Sequence, residues 1–219
     1  MLDELIEVIK LYNPKCDLET IKKAYYFAEK AHKGQTRESG EPYIIHPVAV
    51  CEILANLGLN TSTLAAGLLH DVIEDTGYTY DDIKDNFNEE IAYLVDGVTK
   101  LGRIEYKTKE EQQVDNIRKM FIAMANDIRV ILIKLSDRLH NMRTLKYKPA
   151  EKQISISQET LDIYAPIAHR LGISKIQWEL EDLSLRYLHP AEYNDIMNKV
   201  AQKRSERENN ISQIIETLR

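Results

Sequence analysis

DIRVILIKLSDRLHNMRTL, residues 127–145, carries apolar side chains around nearly its whole circumference when wound as a helix at about 100° per residue. A helix that is apolar on every side is one that other elements surround, so this segment is expected at the centre of a bundle. Against that background Lys134, Asp137, Asn141 and Thr144 fall at i−3, i, i+4 and i+7 and form one narrow polar stripe. A buried carboxylate needs a counter-charge. Asp137 therefore either pairs with Lys134 or an arginine, or binds a cation.

The rest of the chain agrees with a helical bundle. Of 219 residues only 8 are Gly and 6 are Pro, and helical periodicity recurs with no alternating strand pattern and no clear repeat. Helices are expected over 2–11, 18–33, 47–57, 62–75, 80–86, 89–100, 109–125, 128–146, 149–170, 173–187 and 190–218. Loops are expected where Gly, Pro or polar clusters interrupt, at Gly34–Pro42, Gly58–Thr61, Thr76–Thr79 and Gly102–Thr108. The fold class is all-α, in one domain or one plus an appendage.

The formal net charge of −6 argues against general affinity for nucleic acid, which rests on many cations facing phosphates, while leaving room for a local basic pocket. There is no apolar run of about 18 residues, and the amphipathic, acidic start MLDELIEVIKLYNP has no signal-peptide pattern. A soluble, cytoplasmic protein is expected. Cys16 and Cys51 have no CxxC spacing and are expected as packed thiols.

LLHDVIEDT, residues 68–76, sets His70, Asp71, Glu74 and Asp75 among leucines and isoleucines. On a continuous helix all four share one face, with Gly67 at its centre, where the missing side chain leaves room for a ligand. A plain amphipathic helix with a wet face would show the same charges. In YIIHPVAV, residues 43–50, His46 precedes Pro47, which favours a first helical turn, so its imidazole projects from a helix start. With His70, Asp71 and Asp137 it makes a mixed nitrogen and oxygen set suited to Mn, Fe, Zn or Co.

At this point a resemblance appears. RESGEPYIIHP, AAGLLHDVIEDT, VDGVTKLG, IRKMFIAMANDIRVILIKLSDRLHNMRTL and YAPIAHRLGISKIQWELEDLSLRYLHP resemble the HD-domain metal-dependent phosphohydrolases, a helical-bundle superfamily. Within it they look like the hydrolase domain of Rel/SpoT-type enzymes, which make and degrade guanosine tetra- and pentaphosphate, (p)ppGpp. The likeness covers nearly the whole chain.

The resemblance implies removal of the 3′-pyrophosphate from ppGpp or pppGpp, giving GDP or GTP plus pyrophosphate, in the stringent response. It implies His46, His70, Asp71 and Asp137 as metal ligands, with Mn2+ the usual ion and other divalent metals possible. Glu74 and Asp75 match the acidic pair that activates water, Glu74 as principal base and Asp75 assisting. Arg37, Ser39, Tyr43, Asn141 and Thr144 match nucleotide-contacting positions, and Lys134 joins them by its place on the polar stripe. One residue departs from the pattern: Glu38 stands where many members place a lysine against the guanine base, and a reversed charge there should weaken polyanion binding unless the side chain turns away.

By the same likeness, residues 1–190 form the hydrolase domain, with 150–190 a helical extension. Residues 191–219 look like a helical lead toward a C-terminal synthetase region; synthetase and regulatory domains are expected to be missing from the chain. The expected partner is the guanine nucleotide alarmone, with neither nucleic acid nor membrane. The alternatives are an HD phosphohydrolase acting on another nucleotide, and a non-catalytic nucleotide sensor. His32, His140, His169 and His189 are expected as packing or surface residues, and Glu179, Glu181 and Asp182 as a solvated face opposite Trp178, Leu180, Leu183 and Leu185.

Overall fold

The computed structural model describes residues 1–102 and 126–201, together with Arg118 and Ile122. Among these residues the regular structure is helical: α1 (Leu2–Tyr12), α2 (Leu18–Ala31), α3 (Ile45–Asn56), α4 (Thr61–Leu69), a short α5 (Val72–Asp75), α6 (Tyr80–Asn86), α7 (Glu89–Gly102), α8 (Ile128–Arg143), α9 (Ala150–Glu159), α10 (Ala165–Arg170) and α11 (Ser174–Leu188). A 3-10 turn, Leu145–Tyr147, follows α8, and a π-helical turn, Thr160–Tyr164, joins α9 to α10. The expected helix 109–125 and loop Gly102–Thr108 lie outside the described residues apart from Gly102, Arg118 and Ile122. Of the expected helix 190–218, residues 190–201 are helical and the remainder lies outside.

Several helix starts follow from side chains that satisfy first-turn amides. Asp17 accepts from Glu19 and Thr20 at α2, Asn60 from Thr63 at α4, and Asp127 from Arg129 at α8. Thr79 and Asp82 cap each other's amides in a reciprocal box at α6. The π turn stands just before Pro166, whose ring lacks an amide and would crowd the carbonyl four residues back in a regular helix.

Two hydrophobic cores share α8. Val130 and Ile133 belong to the first, with Leu5, Ile21, Leu54, Leu68 and Leu94 from the N-terminal helices. Ile131, Leu135, Leu139 and Met142 belong to the second, with Ile163, Ile167 and Leu180. α8 is thus enclosed from both sides, as its all-round apolar pattern requires.

Three expectations need correction. The helix expected over 62–75 is broken at His70 and Asp71. The His70 imidazole Nδ1 lies 2.8 Å from the Gly67 carbonyl, the group that would receive the Asp71 amide in a continuous helix. Gly67 also leaves no room for a ligand, because a Cβ placed there would meet Leu54 Cδ1 of α3 at 2.4 Å. Its missing side chain serves the close packing of α3 on α4. On α11, Trp178 is exposed while Leu180 is buried, and Glu179 is not simply solvated but pairs with Arg143 of α8 at 2.6 Å.

Candidate metal centre and adjoining cleft

His46 comes from the first turn of α3, His70 and Asp71 from the break between α4 and α5, and Asp137 from the middle of α8. The packing of α3 and α4 on α8 brings them together. One ligand atom from each of His46, His70 and Asp137 lies within 4.8 Å of the others. Asp71 completes the group, its Oδ2 3.1 Å from His70 Nε2 and 3.5 Å from His46 Nε2. Asp137 Oδ1 stands 3.3 Å from His46 Nε2 and 3.9 Å from His70 Nε2. Both imidazoles are buried.

The outward ring nitrogens fix which atoms face the centre. His70 Nδ1 faces the Gly67 carbonyl and donates to it, so Nε2 is the ring nitrogen turned toward the centre. That Nε2 is buried with no hydrogen-bond partner among the described residues. His46 Nδ1 sits 2.7 Å from Nδ1 of His140. Burial, with His46 and Arg37 nearby, pushes the His140 imidazole down to about 3, so it is neutral, and of the two facing Nδ1 atoms one donates and the other accepts. With His46 as the donor of that pair, its Nε2 is the nitrogen left to face the centre.

Two carboxylates facing two imidazole nitrogens draw a cation between them, a proton on the ring or a metal ion in its place. Burial lowers the affinity of His70 for a proton, but Asp71 and Asp137 beside it outweigh burial and raise it to about 9. Burial likewise acts to raise the Asp137 carboxyl, yet Lys134 and the two histidines hold it far below the usual range. An orphaned imidazole nitrogen among carboxylates is what a divalent metal site offers, and the donor set fits such an ion.

A cleft of about 480 Å3 adjoins this centre and borders Asp137; Arg37, Ser39, Tyr43, Lys134, Asn141 and Thr144 all line it. The polar stripe of α8 is a connected chain. Lys134 Nζ donates to Asp137 Oδ2 at 2.9 Å, Asn141 Nδ2 to Asp137 Oδ1 at 2.6 Å, and Arg37 to Asn141 Oδ1 at 2.8 Å and Thr144 Oγ1 at 3.4 Å. The Lys134 pair leaves the second reading open as well, since one oxygen of Asp137 pairs with Lys134 while the other faces the histidines. The Tyr43 hydroxyl lies 2.6 Å from Asp71 and 2.9 Å from Asp75, so its one proton can be donated to either carboxylate, and its burial beside them raises its pKa. Ser39 is turned to Glu41 at 2.9 Å. Asp75 is thus tied to the centre, and both Glu74 and Asp75 are exposed on α5.

Sequence reasoning missed the supporting roles of His140 and Arg138, while His32 packs as expected. His140 is not a packing residue alone, because it orients His46; its place three residues after Asp137 on α8 was the available signal. His32 is buried and stacks on Tyr43 with ring centroids 4.4 Å apart. Arg138 lines the cleft, lies 4.0 Å over the Tyr164 ring and pairs with Glu159 at 2.9 Å. Glu38 also lines the cleft, where its carboxylate pairs with Lys148 at 2.8 Å.

Comparison with known proteins follows the same lines. The chain matches the HD domain family over residues 24–174. It is 51% identical over 214 residues to a GTP pyrophosphokinase of Myxococcus xanthus, covering 96% of this chain and 28% of that protein. It is 48% identical over 218 residues to the bifunctional (p)ppGpp synthase/hydrolase SpoT of Escherichia coli, covering 100% of this chain and 31% of that one. The chain thus spans about a third or less of the length of these relatives. A solved structure of a metazoan ortholog of SpoT, described as hydrolyzing ppGpp, superposes with a TM-score of 0.60 at 25% identity, covering 76% of this chain and 94% of that one. Among the described residues no helix is long and apolar enough to cross a membrane.

Proposed function

This chain belongs to the HD domain family, and on that premise we propose that it hydrolyses ppGpp and pppGpp, releasing the 3′-pyrophosphate and leaving GDP or GTP, in alarmone turnover. The observation that carries the reading is a junction at one carboxylate. Asp137 belongs both to the cluster with His46, His70 and Asp71 and to the stripe that runs into the cleft. Chemistry at that cluster would therefore act on a ligand in that cleft. The activities named for the relatives and the metazoan ortholog support the substrate.

His46, His70, Asp71 and Asp137 would hold the ion, with Mn2+ our assignment among divalent metals. When bound, such an ion neutralises phosphate charge and acidifies water. The protein's own side chains do the rest. The Tyr43 hydroxyl stands within hydrogen-bond distance of both Asp71 and Asp75 and so holds the second acidic residue near the centre. Glu74, on the short α5 that follows the break, takes the proton of the attacking water, with Asp75 assisting. Lys134 is fixed by Asp137 and Arg37 by Asn141, so both cations meet an anionic ligand already oriented. Residues 1–190 are assigned to the hydrolase domain, with 191–219 leading onward; the family match over 24–174 falls inside the first span.

The test is to incubate the purified chain with ppGpp and Mn2+, with and without chelator, and to separate the products. GDP plus pyrophosphate, lost with chelator and in Asp71→Ala, is the expected result. Orthophosphate release, or no metal-dependent turnover, would contradict it.

A further inference from the structure

The mouth of the cleft is crossed by one ion pair between segments far apart in sequence. Glu38 sits at the tip of a tight turn, where the Gly40 amide donates to the Arg37 carbonyl at 2.8 Å and the Arg37 amide to the Glu41 carbonyl at 2.9 Å. Gly40 takes the positive φ of 84° that the turn requires. Across from it, Lys148 precedes Pro149, which restricts it to extended backbone. Its amide donates to the Leu145 carbonyl at 3.0 Å, and its carbonyl accepts from Gln153 at 2.8 Å. Both backbones are pinned, so the freedom left at this rim is in the two side chains.

Those side chains line the same cleft as Arg37, Lys134 and Arg138. Arg37 is committed to Asn141, Lys134 to buried Asp137, and Arg138 to Glu159 and the Tyr164 ring. Lys148 is different, because its partner is half-exposed: the Lys148 side chain retains 36% of its accessible surface and Glu38 53%. An exposed ion pair of this kind contributes little to stability, whereas an ammonium meeting phosphate oxygens forms a stronger, charge-assisted hydrogen bond.

We propose that Lys148 is an anion-binding side chain of the cleft and that Glu38 is its resident counter-ion, displaced when the phosphate groups of a nucleoside polyphosphate arrive. Glu38 then acts as an internal competitor. It holds Lys148 over the mouth in the empty cleft and sets a ceiling on affinity by taxing each binding event with the loss of the pair. The nature of the ligand rests on the reading of the preceding subsection; the exchange itself rests on the geometry of the rim.

The experiment is calorimetric titration of the full chain with GDP, a product of the proposed reaction, using Glu38→Gln, Lys148→Met and the double variant, each checked for unchanged helicity. ppGpp turnover by the unsubstituted chain is followed in parallel. Lys148→Met should weaken GDP binding about fivefold or more, and Glu38→Gln should tighten it about threefold by freeing Lys148. The gain from Glu38→Gln should shrink in the Lys148→Met background. A dissociation constant within twofold of the parent in Lys148→Met, an equal or larger gain from Glu38→Gln without Lys148, or no GDP binding by the parent would each overturn the proposal. If the variants behave as expected but ppGpp is not turned over, the exchange stands and the substrate reading falls; if ppGpp is turned over but Lys148 is indifferent, the reverse holds.

Discussion

The individual side chains that make the centre differ in how plainly they announce themselves. Asp137 is conspicuous because a carboxylate on a helix apolar all round must have a partner, and its Lys134 and Asn141 contacts follow from helical spacing. His140 is not conspicuous, since a histidine three residues from an aspartate is compatible with simple packing. What distinguishes it is that its Nδ1 meets His46 Nδ1 at 2.7 Å, a contact across 94 residues that no local pattern encodes. Groups that hold a metal-facing imidazole in one tautomer typically matter about 10–100-fold in metal affinity. His140→Ala should therefore weaken Mn2+ binding about tenfold or more, and His140→Gln, which keeps an acceptor for His46, should lose less; titration calorimetry of the metal reads both. Equal affinity in all three proteins would remove the positioning role.

Among the helices, the instructive one is α4 with its broken continuation into α5. Helical spacing from 62 to 75 reads as one helix, and the periodicity on either side is real. The interruption arises because the His70 ring occupies the Gly67 carbonyl, a side-chain choice that competes with the backbone and leaves periodicity unchanged. Gly67 was legible as special but for the wrong reason, because the Leu54 methyl that fills its space comes from another helix. Gly67→Val should force the buried Leu54 out of place and destabilise the fold by about 2 kcal/mol, the usual order for overpacking. In urea unfolding, Leu54→Ala should then cost less in the Gly67→Val background than in the parent, as contacting sites do when they share one space. Additive losses, or an unshifted midpoint in Gly67→Val, would show that α3 and α4 do not meet there as described.

Taken as a whole, the molecule is two apolar cores sharing α8, with the polar cluster where α3 and α4 reach the middle of that helix. The all-helical class and the central place of α8 were readable from residues 127–145, because a helix with no wet face can only be enclosed. The four residues of the cluster and the polar stripe of α8 were readable from residue type and spacing, Arg37, Ser39 and Tyr43 only from motif likeness, and the structure brings them to the centre and its cleft. The division of labour between the two oxygens of Asp137, and the Glu38–Lys148 pair across 110 residues, depend on tertiary approach and left no trace in spacing. The most direct test of the centre itself is Mn2+ spectroscopy that detects hyperfine coupling to nitrogen, on the chain labelled with 15N-histidine. One Mn2+ per chain coupled to two imidazole nitrogens, with binding lost in Asp137→Ala, is the expected result. Mn2+ bound without nitrogen coupling, or bound as tightly by Asp137→Ala, would contradict the assignment of His46, His70, Asp71 and Asp137 as its ligands.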